Sequence, residues 1–355
     1  MGNSICCASK NRQLKQSKND YYILELPQTQ SESKTTLVSL AVRGVFSDNS
    51  HYMVASGGKD GKITLCTLST NAATNTTATL DKIKGASSSI TSLVFSPDGK
   101  YLISGSQAGN VYRWKIKNNK IISKKHITKE QNIFNLSQKI CGLAVITDSN
   151  DTLIIGSSSA DLYYNTDQII RTTYQSFGDE ISKQKPIKEQ LCNLVHFELS
   201  PDGNYLVYIK PDEIFICVKE TEKSKCYALI RTYSLFRDEK ISIACSNDHI
   251  AFGIKNTITL ITNKTQKSDE KLLLGTNSNN IAVAFSPDGK YLASGYNNEI
   301  IIWELKNNSF KPNITKNVGD IITHLAFSPD GEELIFNTKT LQVWKWFKER
   351  KTLEQ

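Results

Sequence analysis

The chain has 355 residues, 39% of them hydrophobic and 22% charged, with a net charge of +8. That much apolar chain can bury a large core, which excludes a wholly disordered protein. The basic excess is too mild for a chain built to coat nucleic acid, and no run approaches the ~18 apolar residues of a bilayer-spanning helix.

Residues 1–20, MGNSICCASKNRQLKQSKND, differ from the rest. Lys10, Arg12, Lys15 and Lys18 stand against one acid, Asp20, and the apolar run of a secretory signal is missing. The segment reads as a flexible basic tail. Its start, Met1-Gly2 with Cys6-Cys7, resembles dual-acylated N-termini, which implies myristate on Gly2 and palmitate on one or both cysteines. The usual pattern has Ser or Thr at position 6, where Cys6 stands. One myristoyl chain holds only marginally, with an association constant of about 10⁴ M⁻¹, so a stable anchor needs a second signal. Two are on offer: the thiols, and a basic stretch that gains about 1 kcal/mol per charge near anionic lipid. The expectation is a peripheral attachment to the cytoplasmic face of a membrane. A plain tail with incidental cysteines is the alternative.

Tyr21 to Leu26 reads as a strand stopped by Pro27, and residues 27–36 as a polar connector. From there the chain repeats itself. Residues 285–305, FSPDGKYLASGYNNEIIIWEL, share their first eleven letters, one excepted, with residues 95–105. The cue Ser-Pro-Asp-Gly occurs at 96–99, 200–203, 286–289 and 328–331. Pro at the second turn position and Asp-Gly after it are turn chemistry between two strands. Ile281, Val283 and Phe285 alternate with Ala282 and Ala284, so that strand is apolar on both faces. A sheet apolar on both faces needs a sheet packed on each side, and radial repetition supplies them.

The Ser-Pro-Asp-Gly turn, the Ser-Gly after it and the late Trp of Ile-Ile-Trp-Glu resemble the WD40 repeat. The resemblance implies an all-β, seven-bladed β-propeller of four-stranded antiparallel blades over residues 21–350, with 351–355 as a short tail. The residue before each turn marks the register: Phe46, Phe95, Ile146, Leu199, Cys245, Phe285 and Phe327. The late aromatic is Trp114, Trp303 and Trp344, replaced elsewhere by Cys66 or Cys217. Asp98, Asp202, Asp288 and Asp330 are the turn aspartates, and Asp60 matches the family's own turn aspartate. The family's Gly-His pair is missing, so its Asp–His network is not carried over, and core packing must hold most blades. The last unit ends near Phe347 with little chain for a fourth strand. Family resemblance suggests that Tyr21–Leu26 supplies it and closes the ring.

The units run 37–83, 90–127, 140–174, 191–233, 241–274, 281–308 and 321–347. The outer strand 121–127 is rich in lysine (Lys120, Lys124, Lys125), which suits an exposed edge, with a basic docking patch as the functional alternative. The connection 175–190 is long enough to carry binding function or to be a solvated insertion.

Catalytic chemistry is sought without result. No Cys-x₂-Cys pair, His-Glu-x-x-His, Gly-x-Ser-x-Gly or phosphate loop occurs. Cys66, Cys141, Cys192, Cys217 and Cys245 fall in strands, where cysteine acts as a small hydrophobe. His196 and His324 sit in first strands as satisfied structural histidines. The Phe-Arg-Arg-Gly motif of phosphoinositide-binding propellers is missing, so no headgroup pocket is expected on the propeller. The sequence therefore points to a non-enzymatic interaction scaffold, without metal or cofactor, that binds proteins or peptides on a face and lipid through its tail. No nucleic acid or small-molecule substrate is expected. A WD40 adaptor subunit without membrane association is the alternative.

Overall fold

The structure is a computed structural model. It describes residues 11–13, 15–16, 21–24, 37–44, 51–69, 77–84, 87–96, 99–118, 120–126, 139–146, 152–157, 162–164, 195–219, 227–235, 241–254, 257–262, 271–274, 281–307, 309–338, 341–344 and 346. These residues form seven antiparallel sheets. Sheet 1 takes Leu37–Gly44, His51–Gly58, Lys62–Ser69 and Thr77–Lys84, with Asn11–Gln13 outside the last. Sheet 2 takes Ile90–Phe95, Tyr101–Ser106, Val111–Lys117 and Lys120–His126. Sheet 3 has Ile140–Ile146, Thr152–Ser157 and Leu162–Tyr164 among the described residues. Sheet 4 is His196–Leu199, Tyr205–Ile209, Glu213–Lys219 and Tyr227–Ser234. Sheet 5 is Ile241–Cys245, His249–Ile254, Thr257–Thr262 and Lys271–Leu274. Sheet 6 is Ile281–Phe285, Tyr291–Tyr296, Glu299–Lys306 and Ser309–Asn317. Sheet 7 combines His324–Phe327, Leu334–Asn337 and Leu341–Trp344 with Tyr21–Leu24 and Lys15–Gln16 from the N-terminal end.

Each sheet's first strand lies beside the first strand of the next, and His324–Phe327 lies beside Leu37–Gly44. The sheets therefore stand around an axis lined by first strands. Tyr21–Leu24 pairs antiparallel with Leu341–Trp344, placing Tyr21 opposite Trp344 and Leu24 opposite Leu341.

Apolar clusters fill the spaces between sheets. Met53, Ala55, Ile63 and Leu65 of sheet 1 meet Leu93, Leu102, Trp114 and Ile116 of sheet 2. Val207 and Ile216 of sheet 4 meet Ile243 and Phe252 of sheet 5. Tyr52, Val54, Cys66 and Leu68 of sheet 1 meet Ile335 and Val343 of sheet 7. Both faces of a sheet are thus spent on neighbours, which is why a lone sheet of this composition could not persist in water.

The register marks hold where they are described. Phe95, Ile146, Leu199, Cys245, Phe285 and Phe327 each end a first strand, while Phe46 lies outside the described residues. Two expectations need correction. Part of the tail, residues 11–13 and 15–16, is paired strand rather than free chain. Residues 309–317, left outside any unit, are sheet 6's outer strand. Pro312 in that segment argues against a strand, but an outer strand faces no further partner and tolerates the lost donor.

Candidate interaction surfaces and the axial channel

The turns after the first strands share one construction. In sheets 2, 4, 6 and 7, Ser96, Ser200, Ser286 and Ser328 are buried. Each hydroxyl accepts a hydrogen bond at 2.9 Å from the N–H five residues on, at Tyr101, Tyr205, Tyr291 and Glu333. The glycines that complete the turns, Gly99, Gly203, Gly289 and Gly331, have φ of 64–76°, where a Cβ would strain the backbone. Asp202, Asp288 and Asp330 accept from the serine hydroxyl at 2.5–2.6 Å and from the N–H two residues on at 3.0–3.1 Å. Partial burial opposes ionisation of Asp288, but Ser286 and Lys290 outweigh it and hold its pKa below the ordinary value. Asp98 lies outside the described residues. These aspartates are turn caps. Asp60 does the same at its own turn, accepting from the Lys62 N–H at 3.1 Å and facing the Lys62 ammonium at 3.4 Å.

The late tryptophans reveal a second device. Trp114 and Trp303 donate their indole N–H groups to the buried hydroxyls of Ser104 and Ser294, at 2.9 and 2.8 Å. The acceptor is the Ser of the repeated Ser-Gly. Elsewhere the pair survives by halves. In sheet 1 Cys66 takes the tryptophan's place opposite Val54, and the buried Ser56 hydroxyl has no partner. In sheet 7 Phe336 takes the serine's place, and the buried Trp344 N–H has no partner. Cys217 occupies the same place in sheet 4, opposite Leu206. Burial pushes its thiol up to about 12, so it stays protonated and acts as a hydrophobe.

The glycine of Ser-Gly is a contact surface. A Cβ at Gly57 would come within 2.5 Å of Ile90 Cγ2, at Gly105 within 2.5 Å of Ile140 Cγ2, and at Gly295 within 2.7 Å of Ile322 Cγ2. Each of those isoleucines starts, or shortly precedes, the next sheet's first strand. Gly142 similarly faces Phe197, at 2.6 Å. Polar side chains add stitches between sheets: Thr91 Oγ1 donates to the Ile140 carbonyl at 2.7 Å, and Ser242 Oγ accepts from the Val283 N–H at 3.1 Å. At the seam between sheets 7 and 1, the Tyr52 hydroxyl donates to the buried carboxylate of Glu333. Burial, and then Glu333, push the Tyr52 pKa well up. Trp346, fully buried, donates to the Gly331 carbonyl at 3.0 Å and packs edge-on against Tyr291 of sheet 6. Sequence reasoning missed Tyr52, Glu333 and Trp346. The Trp344-x-Trp346 spacing was the available signal for the last.

The first strands enclose an axial cavity of about 1000 Å³. His196, Glu198, His324, Cys141 and Cys245 are in its wall. His196 Nδ1 lies 3.1 Å from the Cys141 carbonyl and its Nε2 3.8 Å from Glu198; His324 Nδ1 lies 3.2 Å from Thr323 Oγ1. Both histidines thus have local hydrogen-bonding neighbours. Among the described residues no group of three His, Cys, Asp or Glu could hold a metal ion. Gly2, Cys6, Cys7, Lys10 and Lys18 lie outside the described residues; of Arg12 and Lys15 only the strand positions are described.

Residues 77–115 and 270–304 match the family model of the WD domain, G-beta repeat. Each match spans the outer strand of one sheet and three strands of the next, so each repeat interlocks two sheets. No curated protein compared with the chain matches it. Among solved structures, the β-propeller domain of Myceliophteria thermophila Cps50 (Swd1) is similar, at 14% identity over 92% of this chain and 99% of that one, with a TM-score of 0.59. The chain carries WD40 repeats and folds as an all-β propeller.

Proposed function

We propose that this chain is a non-enzymatic scaffold that holds other proteins or peptides on its propeller faces and is tethered to the cytoplasmic face of a membrane through Gly2, Cys6 and Cys7. The propeller frame carries the first half. Polar side chains of the frame serve its construction: the buried Ser96 hydroxyl caps a turn, and the half-buried Thr91 and Ser242 hydroxyls bond across seams between sheets. WD40 propellers generally serve as protein-binding scaffolds. The second half rests on the sequence around Gly2, Cys6 and Cys7. Asn11–Gln13 pairs with the outer strand of sheet 1. An acyl group on Gly2 would therefore start nine residues upstream, within ~30 Å of the rim.

The test is metabolic labelling with an alkynyl myristate analogue, followed by membrane fractionation. Wild type should carry label and pellet with membranes. Gly2→Ala should lose the label and most of the pelleted fraction, and Cys6→Ser/Cys7→Ser should keep the label yet pellet far less. Equal label in wild type and Gly2→Ala would end the acyl tether and favour the adaptor reading.

A further inference from the structure

The hairpin Val111–His126 of sheet 2 has six Lys or Arg residues, namely Arg113, Lys115, Lys117, Lys120, Lys124 and Lys125, and no acid. The fold does not require this. Sheet 6 builds the same hairpin with Glu304 where sheet 2 has Lys115, and there Lys306 reaches Glu304 at 2.9 Å. In sheet 2 the counterpart of Lys306 is Lys117, whose neighbour two residues back is another lysine. The ladder compounds the repulsion, setting Lys117 opposite Lys120 and Arg113 opposite Lys125. Like charges directly opposite one another destabilise a sheet, so this edge retains a feature that stability disfavours.

Lys115, Lys117 and Lys120 are exposed at the turn where the third strand passes to the outer one. Asn118, exposed and at φ 50°, stands in that turn. Beside it the register slips between Lys115 and Ile116, and the extra residue, Ile122, is 53% exposed. Lys124 differs: its ammonium lies over the Tyr112 ring, 3.7 Å from the centroid.

We propose that this corner of sheet 2 is a contact surface for an anionic lipid bilayer. Three observations favour a bilayer over an acidic polypeptide. Its exposed side chains stand on a hairpin turn at the outer edge of the sheet, where a plane can meet them. Its exposed cations are lysines, point charges suited to a diffuse anionic surface rather than to bidentate carboxylate recognition. An apolar side chain, Ile122, projects among them. The basic positions Arg12 and Lys15 belong to the edge strands of sheets 1 and 7, which follow sheet 2 in the circle. The surface would set which edge of the disc meets the membrane. It rests on the tethered-scaffold reading only for the anchor that brings the disc there.

Full-length chain made without acyltransferases separates this surface from the anchor. It is sedimented with vesicles of phosphatidylcholine alone, or with about 30 mol % phosphatidylserine. Wild type should bind only the anionic vesicles. Lys115→Gln/Lys117→Gln/Lys120→Gln should bind roughly 100-fold more weakly, at roughly five-fold per charge. Lys59→Gln/Lys290→Gln/Lys311→Gln, with the same net charge, should bind like wild type. Melting curves establish that both variants fold. The proposal fails if the first variant binds like wild type, or if the second loses as much, which would leave net charge alone. It also fails if wild type ignores both vesicles and instead binds poly-glutamate through these lysines. None of these outcomes touches the myristate-labelling test of the anchor.

Discussion

Replacing Ser104 or Ser56 by alanine is chemically the same change, yet the two should move stability in opposite directions. Both hydroxyls are buried, with relative exposures of 0% and 1%. Ser104 accepts the Trp114 N–H at 2.9 Å, so Ser104→Ala leaves a buried donor unpaired, at a cost of about 1–3 kcal/mol. Ser56 has no partner, because Cys66 stands where the tryptophan would be. Ser56→Ala then removes a desolvated hydroxyl that makes no bond, and stability should hold or rise by up to about 1 kcal/mol. With an unfolding entropy of ~2.1 cal/mol/K per residue, 355 residues give ~750 cal/mol/K, so 1 kcal/mol moves Tm by ~1.3 °C. Thermal shifts this small need support from urea midpoints, read by circular dichroism and tryptophan fluorescence together. Equal losses in the two variants would refute the half-pair account.

Gly105→Ala should destabilise by about 1–3 kcal/mol, since its Cβ would meet Ile140 Cγ2 at 2.5 Å, and adding Ile140→Val should recover part of the loss in urea unfolding. Tyr52→Phe should cost about 1.5–3 kcal/mol by leaving the Glu333 carboxylate buried without its donor, whereas Tyr233→Phe, on an outer strand, should cost less in the same assay. Asp288 has a folded pKa below its unfolded value near 3.8. Its charge therefore stabilises the fold above that value, and the contribution is lost as pH falls through the lower folded pKa. Wild type should accordingly lose its advantage over Asp288→Asn as pH falls below about 4, as followed by Tm against pH. Deleting residues 1–26 removes the strand paired with Leu341–Trp344 and should lower Tm of the whole domain; an unchanged Tm would show that this strand is dispensable.

Much of the sheet pattern could be read from local chemistry. Ser-Pro-Asp-Gly writes its turn within four residues, and the residue before it ends a first strand wherever that position is described. Even Cys245, before a turn that lacks proline, was placed correctly, because Ser246 accepts from the His249 N–H as its counterparts do. The resemblance to the WD40 repeat puts Cys66 and Cys217 in the tryptophan's place, and the ladders seat both there. The outer strands were harder. Ser309–Asn317 meets one neighbour only, and its proline and lysines look like loop.

The candidate surfaces divide along the same line. That the Val111–His126 hairpin is basic is written in its letters. That Lys117 stands opposite Lys120, that the slip turns Ile122 outward, and that the same hairpin in sheet 6 neutralises itself all depend on ladder register. The seams required tertiary structure altogether. Tyr52 and Glu333 are 281 positions apart, and nothing in either neighbourhood names the other. Sequence by itself determined the repeating sheet, because turns and alternation act between residues a few places apart. Only the folded ring decided which sheets touch, which glycines must stay bare and which hydroxyls find a donor, because those contacts form between segments brought together by packing alone.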